Sequence, residues 1–171
     1  MGVLLAQYTI FALAALVVVL WFALPRGERA LRRHLVYGGL AASLALGVNY
    51  ALATLWYRPR PFVLYPHLVH LLVQHVPDAS FPSDHVAVAA AFAAAIPKTH
   101  RWLRLLFWCL TALIALARVF VGVHWPVDVL GGAAVGALSL AMVLALRRPL
   151  ARPVEWLVRT VRLPGRVSSG T

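Results

Sequence analysis

The chain has 171 residues, of which 62% (about 106) are hydrophobic and only 12% are charged. A helical membrane span takes roughly 20 residues and a soluble domain carries ~25% charge, so the composition fits about five spans and excludes a water-soluble domain, a disordered chain or a disulfide scaffold. The lone Cys109 can form neither an internal disulfide nor, alone, a cysteine-based metal site. The net charge of +11 would suit nucleic acid in a soluble protein. Here the basic residues sit at the ends of apolar segments, with no basic face interleaved with aromatics, so no nucleic-acid partner is expected.

In chain order, Val3 to Leu24 reads as a first span, uncharged and about 33 Å long at helical rise. It lacks the basic start and short apolar stretch of a signal peptide. Further spans are expected at Val36 to Tyr57, Ser83 to Pro97 (short, about 22 Å), Trp102 to Phe120 and Pro126 to Leu146. Between the second and third lies an apolar stretch, Phe62 to Val76, with His67, His70 and His75. Three imidazoles invite a metal, but no accompanying acids are evident, and a short external re-entrant or interfacial helix over the site is the favoured reading. After the fifth span, Val154, Leu157, Val158 and Val161 recur at helical spacing between Pro153 and Pro164-Gly165. Two readings stand: an interfacial helix on anionic lipid, or a frayed basic tail. Residues 167–171 are expected to be disordered. The fold class is therefore all-α: a polytopic membrane bundle of about five transmembrane helices, a short external helix and a C-terminal interfacial helix. It is read as one domain, 1–171, with a core of 36–146 and a basic tail of 147–171.

Alternating five spans puts Arg26, Arg29, Arg32, Arg33, Lys98, Arg101, Arg104 and the six tail arginines on one side, and only Arg58, Arg60 and Arg118 on the other. That 13-to-3 division places the N-terminus outside and the C-terminus in the cytoplasm. The three minority arginines need partners at the hydrocarbon boundary. They fall beside Arg58-Pro59-Arg60-Pro61, Pro82-Ser83-Asp84-His85, and Arg118 with His124 and Asp128. Snorkelling anchors would explain each arginine singly, but not why the histidines and acids share their places.

Ser83 or Asp84 suits the N-cap of the third span, whose free N–H groups would favour an anion. Pro126 fits the first turn of the fifth span, so Asp128 could accept the Nδ1 proton of His124 and leave Nε2 free as a nucleophile. Arg60 and Arg118 have the fork geometry for phosphate oxygens. His85 could donate to a leaving oxygen and then activate water. Asp84 could instead be catalytic, cap the helix or pair with an arginine. Asp78 reads as a loop or cap residue, and Asn49, mid-span, as an interhelical hydrogen bonder. Gly38-Gly39, Gly131-Gly132 and Gly136 read as close-packing positions. Trp56, Trp102, Trp125 and Trp156 read as interfacial belt residues. No ligand set for a catalytic metal is visible, so no cofactor is expected.

These residues resemble the type 2 phosphatidic acid phosphatase superfamily. Its Pro-Ser-Gly-His signature stands here as Pro82-Ser83-Asp84-His85, and its Ser-Arg-x5-His-x3-Asp signature as Ala117-Arg118, His124 and Asp128. Of Lys-x6-Arg-Pro only Arg60-Pro61 is kept, with Ala53 at the Lys position. The strings Asn49-Tyr50, Arg60-Pro61-Phe62-Val63, Asp78 to His85, Val121 to His124 and Asp128 to Gly131 resemble the bacitracin-resistance type of undecaprenyl-diphosphate phosphatase, over roughly Val36 to Gly132. The resemblance implies hydrolysis of undecaprenyl diphosphate to undecaprenyl phosphate and inorganic phosphate at an extracytoplasmic site of the bacterial inner membrane. His124 would be nucleophile, Asp128 its orienter and His85 acid then base, with Arg60, Arg118, Ser83 and Asp84 at the phosphate. Arg58 would fill the place of the missing Lys. The alternatives are another lipid phosphate as substrate (phosphatidylglycerophosphate or phosphatidic acid), or a non-catalytic lipid-phosphate binder or transporter. A vanadate-dependent peroxidase shares the signatures, but those proteins are soluble. Oligomeric state is not legible.

Overall fold

The computed structural model describes residues 2–25, 27–69, 71–73 and 75–161. The expected disorder of 167–171, and residues Arg26, His70, Arg162 and Arg166, lie outside the described residues. Seven α-helices and no strand occur among those described: α1 (Gly2–Ala23), α2 (Arg29–Leu55), α3 (Pro61–Leu64), α4 (Asp84–Ala95), α5 (Arg101–Phe120), α6 (Pro126–Ala145) and α7 (Arg147–Thr160). The fold is an all-α bundle of apolar helices. Among the described residues, α2, Lys98–Phe120 and α6 are long and apolar enough to cross a membrane, while Tyr8–Ala23 of α1 and α4 are apolar but shorter.

The short α4 is the axis of the bundle, packed against α1, α2, α5 and α6. Its sequence explains this. Ala87, Ala89, Ala90, Ala91, Ala93 and Ala95 are all buried, and side chains this small let several helices approach at once. The facing positions are small too. A Cβ on Gly136 would lie 2.2 Å from the Ala87 carbonyl oxygen, and one on Gly132 would lie 2.5 Å from that of Ser83. Gly38 faces Phe92 in the same way, its added Cβ 2.9 Å from the ring. The close-packing role read from these glycines is what the backbone shows.

Three boundaries differ from expectation. Helix α2 begins at Arg29, so Arg29, Arg32 and Arg33 are helical rather than interhelical. The reason lies in Arg32: its buried guanidinium donates to the Trp21, Leu24 and Pro25 carbonyls, the unsatisfied end of α1. Among the described residues between Phe62 and Val76 only the single turn of α3 is helical; those from Tyr65 to Ser83 are irregular, with prolines at 66, 77 and 82. Helix α7 starts at Arg147, directly after α6, and carries Pro153 inside it rather than at its start. It packs on α2 and α6 with Val154 and Val158 buried, and the Trp21 indole donates to the Val161 carbonyl at 3.0 Å. The frayed alternative therefore does not hold through Thr160.

Candidate functional site

At the end of the bundle where α2 and α5 finish and α4 and α6 begin, a cavity of about 730 Å³ is lined by Asn49, Arg60, His75, Asp78, Asp84, His85, Arg118 and His124, among others. Both expected imidazoles, 85 and 124, thus face one space. The turn from α5 to α6 that delivers His124 needs Gly122 at φ 78°, a conformation side-chain-bearing residues rarely adopt.

His124 is buried. Its Nδ1 meets the Ser80 carbonyl at 2.8 Å, so Nδ1 carries the proton and Nε2 presents its lone pair. Arg60 Nη1 lies 3.4 Å from that Nε2. Burial holds the imidazole below its ordinary pKa; Asp128 opposes this, and the Arg60 and Arg118 charges reinforce it. The ring is therefore neutral at pH 7.

Asp128 does not orient His124 in the way expected. Its Oδ2 is 3.8 Å from Nδ1, too long for a hydrogen bond. The fully buried carboxylate instead accepts from the Ser80 hydroxyl, from the Trp125 backbone N–H at 2.8 Å and from Arg58 Nη1 at 3.2 Å. The Asp128 carbonyl takes the Ser83 N–H at 3.0 Å, and the Arg58 carbonyl takes the Ser80 N–H at 2.8 Å. All three motif segments are knotted at this one residue. Asp128→Ala should lower kcat about 100-fold and also lower the melting temperature. It strands two hydrogen-bond donors and a guanidinium, each worth ~1–3 kcal/mol when unsatisfied and buried, less for the part-exposed Arg58. Ser80→Ala, which keeps the carbonyl under His124, should cost tenfold or less. Single-turnover assays and thermal melts of the two variants check this; equal losses would contradict it.

The arginines divide the work unevenly. Arg58 is not at the cavity: it pairs with Asp128 and lies over the Trp125 ring at 5.6 Å, so it does not stand in for the missing Lys. Arg60 is nearly saturated, with Nε on Asp78 at 2.7 Å, Nη1 on the Val123 carbonyl at 2.8 Å and Nη2 on the Ala79 carbonyl at 3.1 Å. Arg118 is the open fork: Nη2 donates to His75 Nε2 at 3.1 Å, and its buried Nε has no partner among the described residues. Ser83 sits at the N-cap position of α4 without capping it, and its buried hydroxyl is unpartnered among the described residues. Asp84 pairs with Asn49 Nδ2 at 2.7 Å rather than with an arginine.

His75, Asp78 and Ser80 belong to the site although sequence reasoning gave them no such place. His75 is a neutral acceptor for Arg118: burial lowers its pKa, the Val76 carbonyl at Nδ1 opposes this, and Arg60 and Arg118 lower it further. Asp78, read as a loop or cap residue, is the ion-pair partner of Arg60. Trp125 also acts as a strut, its indole donating to the Pro59 carbonyl at 3.0 Å.

Apolar helices bundled around an end-facing cavity lined by imidazoles and guanidinium groups define a multi-pass membrane protein. The chain belongs to the PAP2 superfamily, whose sequence pattern matches residues 33–152. It is 36% identical over 161 residues to the undecaprenyl-diphosphatase BcrC of Bacillus subtilis, covering 92% of this chain and 79% of that one. It is 31% identical over 139 residues to the bacitracin transport permease protein BcrC of Bacillus licheniformis, covering 81% and 66%. The crystal structure of Aquifex aeolicus LpxE superposes with a TM-score of 0.60 at 26% identity, covering 84% of this chain and 81% of that one.

Proposed function

We propose that this chain is an undecaprenyl-diphosphatase that works through a phosphohistidine on His124. The observation that carries the reading is the fixed tautomer: a buried imidazole whose Nδ1 is spent on the Ser80 carbonyl, with Nε2 open beside Arg60. The Nε2 lone pair attacks the terminal phosphorus, and the bond from that phosphorus to the bridging oxygen breaks. His85 gives the bridging oxygen a proton as undecaprenyl phosphate leaves. His85 then takes a proton from water, which attacks the phosphohistidine and releases inorganic phosphate. Arg118 and Arg60 hold the charge that builds on the phosphoryl oxygens, and the Ser83 hydroxyl and the α4 N-terminus support them.

The 13-to-3 arginine and lysine division supports an extracytoplasmic site in the bacterial inner membrane, with the C-terminus cytoplasmic and residues 1–171 acting as one lipid-phosphatase domain. One relative is named a bacitracin transport permease protein, which keeps a transport role as a second reading, here as a lipid-phosphate carrier. A carrier needs the arginines but no nucleophile with a fixed tautomer. The deciding assay offers purified protein undecaprenyl diphosphate, phosphatidylglycerophosphate and phosphatidic acid separately. Fastest phosphate release from the first is expected; none from any would favour the carrier.

Because His124 must be neutral to attack and its pKa is held below 6.5, the acid limb of the kcat/KM profile should fall below pH 6.5. Activity is lost as pH drops through that limb and the His124 ring takes up a proton. A limb at pH 7 or higher would contradict the assignment.

A further inference from the structure

At the end of the bundle opposite the catalytic cavity, α2 and α7 enclose a second cavity, of about 630 Å³, lined by Arg33, Tyr37, Arg152, Glu155, Trp156 and Arg159. We propose that it is a binding site for the phosphodiester headgroup of an anionic phospholipid, independent of the catalytic reading. Three guanidinium groups face one carboxylate there. Glu155 holds Arg159 Nε at 2.9 Å and lies 3.8 Å from Arg33 Nη1, bridging two arginines from different helices. Each arginine carries five N–H donors, and the single acid engages few of them; Arg152 makes no ion pair among the described residues. The surplus is positive and planar, the form that receives phosphate oxygens in pairs.

The place also fits a lipid rather than a soluble anion. Arg33 lies in the second turn of α2, where the bundle meets the headgroup layer, and the exposed Trp156 indole sits at the rim as interfacial tryptophans do. Val154 and Val158 bury the other face of α7, so the helix presents its basic side along the bilayer surface. Basic pockets between helices at the cytoplasmic surface hold anionic headgroups in this manner.

The experiment uses the full-length protein in nanodiscs containing equal phosphatidylglycerol and phosphatidylcholine, with native mass spectrometry of the lipids that stay bound after release. A retained ratio of at least fivefold toward phosphatidylglycerol is expected. It should fall toward one in R33Q/R152Q/R159Q, and persist in R147Q/R148Q, which removes charge nearby but outside the cavity. Glycerol phosphate and inorganic phosphate at millimolar concentration should not abolish the preference. Equal retention of both lipids, equal loss in the two variants, or full displacement by inorganic phosphate would each overturn the lipid site. Melting curves and phosphatase activity in detergent should be unchanged in both variants, which separates this proposal from the catalytic one.

Discussion

His124→Ala should abolish turnover, lowering kcat at least about 10³-fold while the protein folds and still retains lipid substrate. The ring makes one hydrogen bond of its own, to the Ser80 carbonyl, and a polar contact with Arg60. Its loss leaves a small void and a carbonyl without a donor, a stability cost of about 1–3 kcal/mol. The catalytic cost is far larger, because a two-step displacement has no first step without the nucleophile. Brief mixing with substrate labelled in its terminal phosphate, followed by alkaline quench, should leave acid-labile label on the native protein and none on His124→Ala. His85→Ala should be slow yet still accumulate label if the leaving group departs unaided. Label on a residue other than His124 would end the proposed mechanism.

The largest stability loss is expected at Gly136. The nearest atom to an added Cβ is backbone, the Ala87 carbonyl oxygen at 2.2 Å, with the Ala91 nitrogen at 3.0 Å, so no side chain can swing away. Gly136→Leu must push α6 off α4. Overpacking a core costs ~1–3 kcal/mol where side chains can adjust, and more where only backbone can yield. Poor yield of folded protein and a melting point lower by ten degrees or more are expected. Gly47→Leu, at a position with nothing within 4 Å, is the control and should be nearly silent. Because α6 carries Asp128 and α4 carries His85, the surviving Gly136→Leu protein should lose activity beyond its loss of fold.

The all-α class and the apolar helices were legible because each is a run of apolar residues closed by charge or proline, a pattern that survives any packing. The clustering of His85, His124, Arg60, Arg118 and Asp84 was legible because polar groups at the ends of such runs have few places to go. What the sequence hid was pairing. Asp128 four residues after His124 looked like its hydrogen-bond acceptor, yet the α6 turn directs that carboxylate onto Ser80, Trp125 and Arg58, and a backbone carbonyl serves His124 instead. A main-chain acceptor leaves no mark in side-chain identity. Arg58 and Arg60 stand two apart and look alike; only the fold sends one behind the site and the other into it. His75 and Asp78 lie in the irregular stretch whose path is set by contacts rather than by periodicity. Pro153 suggests a helix start, yet α7 begins at Arg147 and carries that proline within it.

The convergence on Asp128 has a consequence for how the protein comes to life in the membrane. The segments bearing Arg58, Ser80 and Ser83 are synthesised before residue 128, yet each leans on it. Until α6 is inserted, those earlier segments have nothing to close around, and a nascent chain holds no competent site. Hydrolytic power should therefore arrive in a single step, late in biogenesis, and truncated products ending before α6 should be inert rather than weakly active.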